Sequence, residues 1–233
     1  MADPDQALPA AEAVALLSEL SRTMQRIPII SGRDTDALAA RLPIDGLIFI
    51  GNHGLEERNS ASRLVAEAAP FAAALERAAD AVTRLELTRL PGVEVERKRA
   101  GLTVHFRNAD DPSAVGASLR RPLERIADDA RLTLHGGRMV WELRPPLNID
   151  KGQVLKRLAT ALHPKAIIYI GDDLTDADAF AALKGMSGTR TVAVGVQSHE
   201  MPDATFADCD LLVDGVTGVI QLLRELRDLT GSR

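Results

Sequence analysis

Two periodicities take turns along this chain. Residues 11–24 place Ala13, Leu16, Leu17, Leu20 and Met24 at helical spacing. A short apolar run at 27–30 follows, then a helical pattern over 33–42 with Asp34 as its cap, then a second buried run at 46–50 closed by Gly51. The same rhythm resumes after residue 150. It predicts helices at 152–162, 175–183 and 216–229, and strands at 166–170, 191–194 and 211–213. Alternating strands and helices imply a parallel sheet covered by helices on both faces, an α/β core.

The middle third breaks the rhythm. Residues 64–87 read as one long Ala-rich amphipathic helix. Four runs then alternate strictly, with one helix at 113–127 between the second and third. Because strand side chains alternate faces, each run has a polar side. It is Glu94, Glu96 and Lys98 in 93–98; Thr103, His105 and Arg107 in 102–107; Thr133 and His135 in 131–135; Glu142 and Arg144 in 139–144. Trp141 falls on the apolar side and reads as core. The runs predict an antiparallel sheet with one face for helices and one charged face. This is an α+β module of residues 61–145 inserted into a discontinuous domain made of 1–60 and 146–233. A charged outer face is usually only solvated, yet acid–base pairs recur here on neighbouring strands.

Composition narrows the class. The 233 residues are 45% hydrophobic, enough for a sizeable core, and carry a net charge of −5, which argues against a nucleic-acid surface. No apolar run reaches membrane-spanning length, and the N-terminus is acidic with no apolar signal core. A single cysteine, Cys209, rules out an internal disulfide framework and fits a cytoplasmic protein.

The most specific chemistry lies where the run 166–170 ends. Gly171 is followed by Asp172, Asp173 and Asp176, with Thr175 placed to cap the next helix. Carboxylates crowded at the C-terminal edge of a strand raise one another's pKa. A hard, oxygen-seeking Mg²⁺ relieves that cost, and ligands of open α/β sheets bind at this edge. The plain alternative is a solvated acidic turn.

This Gly-Asp-Asp-x-Thr-Asp run resembles the fourth motif of the haloacid dehalogenase (HAD) phosphatases, in the form found in trehalose-6-phosphate phosphatases. Ile29-Ile30-Ser31-Gly32-Arg33 resembles the second motif, Gly51-Asn52-His53-Gly54-Leu55-Glu56 the Asn-His-Gly turn, and Lys151-Gly152 the third motif, all in the family's order. The resemblance implies a HAD-like core with a cap inserted, and hydrolysis of trehalose 6-phosphate to trehalose and phosphate with Mg²⁺. A trehalose-phosphate synthase would act in the same pathway. By motif, Ser31 binds phosphate and Lys151 neutralises it. Asp172 ligates Mg²⁺, Asp173 is a second ligand or holds a water, and Asp176 orients Lys151 or the metal's waters. Arg33 binds phosphate or pairs with Asp34 or Asp36, and Asn52 and His53 touch the sugar or hold the turn. Glu96, Lys98, His105, Arg107, Glu142 and Arg144 resemble cap segments that contact the sugar. A phosphatase for another sugar phosphate is the neighbouring reading.

One family piece does not occur. Asp-x-Asp-Gly-Thr, which carries the family's nucleophile and acid/base, appears nowhere in the sequence, and Met1-Ala-Asp-Pro-Asp-Gln-Ala-Leu-Pro9 resembles the loop that follows it. Without that motif the chain is expected to be nearly inactive. A mis-set start, a truncation and a non-catalytic binding or regulatory homologue all accommodate its absence. The first of these expects an open frame upstream that encodes an apolar strand and the motif.

Overall fold

The computed structural model describes residues 8–137, 139–197 and 201–231. Residues 1–7, most of the opening loop resemblance, lie outside them. The described residues divide into two compact units, Met1–Gly54 with Ile149–Arg233, and Leu55–Asn148.

The first unit begins with α1 (Ala11–Thr23), β1 (Ile27–Ile30), α2 (Thr35–Arg41) and β2 (Leu47–Gly51). Asp34 caps α2, its carboxylate accepting from the N–H of Ala37 at 2.7 Å. β1 and β2 pair in parallel, with Ile27 opposite Leu47 and Ile30 opposite Ile50.

The second unit holds a hairpin of β3 (Glu56–Arg58) and β4 (Ser62–Leu64), then α3 (Ala72–Thr83), β5 (Glu94–Lys98), β6 (Gly101–His105), α4 (Pro112–Ala130), β7 (Thr133–Gly137) and β8 (Val140–Arg144). The expected helix over 64–87 is corrected to twelve residues. β4 takes its start, and a single 3₁₀ turn, Ala69–Phe71, precedes α3. Pro70 sits inside that turn, where its missing N–H costs nothing. The antiparallel sheet runs β5-β6-β8-β7. Leu102, Val104 and Leu143 from the strands, Leu75 and Val82 from α3, and Leu119 and Leu123 from α4 form one core. Trp141 packs against that core, and its indole N–H donates to the Gly116 carbonyl at 2.8 Å.

The first unit resumes with α5 (Lys151–Leu162), β9 (Ala166–Gly171), α6 (Asp176–Lys184), β10 (Arg190–Gln197), β11 (Leu211–Asp214) and α7 (Gly215–Gly231). The last three strands form a parallel sheet in the order β11-β10-β9. Among the described residues β1 and β9 are therefore both sheet edges. Together they line a cavity of about 540 Å³, with Leu17, Leu20, Leu223 and Leu226 from α1 and α7, Leu155, Leu158 and Leu162 from α5, and Lys151, Asp172 and Asp176 also bordering it. No helix among the described residues is long and apolar enough to cross a membrane.

Candidate active site

Two close approaches at glycines and one turn at positive φ build the site in the first unit. A Cβ on Gly171 would fall 2.4 Å from Asp176 Cγ, so only glycine lets Asp176 fold back beneath the end of β9. A Cβ on Gly152 would fall 2.4 Å from the Asp178 carbonyl oxygen, so α5 can approach α6 closely and bring Lys151 to Asp176. The turn Asn52-His53-Gly54 holds three consecutive residues at positive φ, of 49°, 57° and 99°. Such backbone is sparsely populated for non-glycine residues and concentrates at functional sites.

Asp176 is the buried centre, 2% exposed. Its Oδ1 accepts from Lys151 Nζ at 2.7 Å and from the Tyr169 hydroxyl at 2.6 Å, and its Oδ2 accepts from the N–H groups of Asp172 and Asp173 at 2.9 Å each. Four donors leave it no capacity to ligate a metal, so it fixes Lys151 and the acidic loop. Tyr169 was not singled out from sequence. The available signal was a lone phenol in an otherwise aliphatic buried strand, where a hydroxyl must find a partner. Burial and then the Asp176 carboxylate push that phenol's pKa well up, so it stays a donor.

The two neighbouring acids differ. Burial and then the charges of Asp176 and Asp173 raise the pKa of Asp172. Burial also acts on Asp173, but hydrogen bonds from the hydroxyl and N–H of Thr175, with Lys151 at 3.6 Å, outweigh it and lower that pKa. The expectation that Thr175 caps α6 is corrected. It stands at the cap position with helical backbone angles and makes no side-chain cap bond, because its hydroxyl donates backwards to Asp173.

Ser31 does not cap α2, since Asp34 does; its hydroxyl oxygen accepts from the Arg33 N–H at 3.2 Å. The Ser31 N–H donates to the Ile50 carbonyl, the His53 N–H to the Ser31 carbonyl and the Asn52 N–H to the Arg33 carbonyl. The Ser31–Arg33 loop and the Asn52–His53 turn are thereby laced together at the ends of β1 and β2, with the His53 ring over Gly32.

Mg²⁺ fits what remains. Among the described residues no group of three or more His, Cys, Asp or Glu converges as a full ligand set. Mg²⁺ does not need one, because it binds through one or two carboxylates and keeps waters or phosphate oxygens in its other positions. Asp172, whose charged form the fold disfavours, and Asp173 are the carboxylates that would hold it.

In the second unit β5, β6, β8 and β7 bring the polar residues to one face. Glu96 lies opposite Thr103, Thr103 opposite Glu142, and Glu142 opposite His135. Glu96 accepts from His105 at 3.0 Å and pairs with Lys98 at 3.5 Å, and the His105 bond is the main cause of its lowered pKa. Glu142 pairs with Arg144. Arg107 departs from this arrangement. β6 ends at His105, so Arg107 lies exposed on the following turn.

The family model for trehalose-phosphatase matches residues 1–209. The chain belongs to the trehalose-phosphatase family. It is 38% identical over 213 residues to the trehalose-phosphate phosphatase of Mycobacterium marinum, covering 88% of this chain and 52% of that one. It is 39% identical over 192 residues to that of Mycobacterium avium, covering 78% and 48%. The chain thus spans about half the length of the curated relatives it matches. Among solved structures, the crystal structure of a trehalose-6-phosphate phosphatase related protein superposes with a TM-score of 0.77 at 22% identity, covering 98% of this chain and 92% of that one. The Aspergillus fumigatus trehalose-6-phosphate phosphatase superposes at 0.60 with 26% identity, covering 98% and 87%. A haloacid dehalogenase-like hydrolase from Bacteroides thetaiotaomicron superposes at 0.61 with 15% identity, covering 93% and 92%, a likeness of fold. The fold of this trehalose-phosphatase family member is accordingly HAD-like.

Proposed function

We propose that this protein is built for hydrolysis of trehalose 6-phosphate to trehalose and phosphate. The carrying observation is the Lys151–Asp176–Tyr169 knot at the end of β9, which presents a fixed ammonium beside the carboxylates of Asp172 and Asp173. Mg²⁺ held by Asp172 and Asp173 would supply charge neutralisation for phosphoryl oxygens. Lys151, held by Asp176, adds a second fixed positive charge, and the Ser31 hydroxyl donates to a phosphoryl oxygen. Arg33, Asn52 and His53 shape the loops beside Ser31. On the second unit's polar face Glu96 and Glu142 accept from sugar hydroxyls, and Lys98 and Arg144 donate to them. His105 holds Glu96 in place.

The nucleophile is not among these residues. Asp176 is fully engaged, and the sequence contains no Asp-x-Asp-Gly-Thr. The apolar cavity between the edges of β1 and β9 has the form of a strand site that ends at Lys151 and Asp172. Our reading is that the cavity is shaped to accept a parallel strand, whose end would deliver the nucleophilic carboxylate.

Binding separates the two roles before any turnover is measured. In calorimetry with Mg²⁺ present, trehalose 6-phosphate should bind saturably. Lys151→Ala should weaken both that ligand and inorganic phosphate. Glu96→Ala should weaken trehalose 6-phosphate by roughly 10–150-fold, the worth of a charged hydrogen bond, and leave inorganic phosphate unchanged. Failure of trehalose 6-phosphate to bind the unaltered chain would refute the reading.

A further inference from the structure

The polar face of the second unit is wider than the charged residues alone suggest. The directly opposed residues Glu96, Thr103, Glu142 and His135 form one row across all four strands. Three interstrand spacings of about 4.8 Å make that row about 14 Å long, longer than one sugar ring and comparable with two linked rings. Thr103 is 2% exposed although it lies on this face. The layer a ligand meets is therefore the one above it: Glu96 with its partners, Glu142 with Arg144, and His135.

His135 closes the row on the edge strand β7. It is exposed, and its ring nitrogen Nε2 lies 2.9 Å from the Thr133 hydroxyl, which orients the imidazole. Partial desolvation, and then the neighbouring Arg144, lower its pKa, which favours the uncharged ring. The Thr133 hydroxyl donates to the Arg144 carbonyl, so the His135 Nε2–H donates to Thr133 and Nδ1 is left to accept from a sugar hydroxyl.

We propose that His135 is a specificity-determining residue, and that Glu96 and His135, at opposite edges of the sheet, hold different rings of a two-ring sugar phosphate. This rests on the reading of the protein as a trehalose-6-phosphate phosphatase and adds a residue and a ligand direction to it. The row also predicts that a one-ring phosphate reaches only one end.

Affinities for trehalose 6-phosphate and glucose 6-phosphate can be followed by NMR titration into the millimolar range, with Mg²⁺, for the unaltered chain, Glu96→Ala, His135→Ala and His135→Gln. His135→Ala should weaken trehalose 6-phosphate about 2–12-fold, the worth of one neutral hydrogen bond, and His135→Gln should restore much of it. Glucose 6-phosphate should respond to one of the two alanine changes and not the other. The proposal is overturned if His135→Ala leaves trehalose 6-phosphate affinity unchanged, or if glucose 6-phosphate responds alike to both changes. No binding of trehalose 6-phosphate by the unaltered chain would instead remove the phosphatase reading, and this inference with it. Unchanged melting temperatures, expected for an exposed side chain, exclude misfolding as the cause.

Discussion

Three aspartates within five residues have three different environments, which their sequence does not reveal. Asp176 accepts four hydrogen bonds at a buried position, whereas burial and the like charges of its neighbours raise the pKa of Asp172. The same isosteric change should therefore act oppositely at the two sites. Asp176→Asn turns an amide N–H₂ against fixed donors and leaves Lys151 with only the more distant Asp173 carboxylate, at 3.6 Å. Breaking a buried pair in this way costs about 3–5 kcal/mol, read as a lower denaturation midpoint. At Asp172 the raised pKa means that the folded state holds the proton more tightly than the unfolded state. Its contribution to stability therefore falls as pH rises through the carboxylate range. Asp172→Asn should leave the Mg²⁺-free protein as stable or slightly more so at neutral pH, and should abolish most of the thermal shift that Mg²⁺ produces. Equal destabilisation by both changes would show that Asp172 is structural.

At the scale of elements, the approach of α5 to α6 decides where Lys151 points. Gly152→Ala tests it. Alanine is favoured over glycine in a helix by about 1 kcal/mol. Here the new Cβ meets a backbone carbonyl oxygen at 2.4 Å, an atom that cannot rotate away. Overpacking of this kind costs about 1–3 kcal/mol, so the net effect should be a loss of stability together with weaker phosphate binding as Lys151 shifts. A stabilised variant would show that the two helices can separate freely. Elements like these were largely legible. The apolar runs at 27–30, 46–50 and 166–170 became β1, β2 and β9 because strands of a helix-covered parallel sheet show as continuous apolar stretches, although of the three only β2 is buried throughout. The runs at 93–98 and 139–144 became β5 and β8 through their alternation. The long helix over 64–87 failed because alanine favours helix wherever it stands, and periodicity does not register Pro70 or the β3–β4 hairpin before it. The expected place of Arg107 on a strand failed because alternation continues on paper for two residues beyond the last ladder pair at His105. The links from Tyr169 to Asp176 and from Thr175 to Asp173 were not legible at all, since both are set by where side chains turn after the backbone is placed.

For the whole molecule, the first unit is two parallel half-sheets whose facing edges, β1 and β9, border one apolar cavity. Ile27 packs toward α1 and α7 and Ile30 toward α5, so a strand laid between them would be buried on both faces. Such a strand reads as near-continuous apolar residues. Each side chain it buries is worth about 1.5–3 kcal/mol, so two or three come to about 3–9 kcal/mol, a large share of the total stability of an ordinary domain, about 5–15 kcal/mol. Its C-terminal end would stand beside Lys151 and Asp172, where an attacking carboxylate is needed. The direct experiment fuses ahead of Met1 a segment of about five apolar residues, the usual strand length, followed by Asp-x-Asp-Gly-Thr. The denaturation midpoint should rise by several kcal/mol in unfolding free energy, and Mg²⁺-dependent phosphate release from trehalose 6-phosphate should appear. Changing the first aspartate of the segment to asparagine should keep the stability and remove the release, by about 10⁶ in kcat where covalent attack carries the reaction. A fusion that gains no stability would show that the cavity does not take a strand. One that gains stability and activity, and keeps that activity with asparagine in the segment, would place the nucleophile elsewhere in the chain.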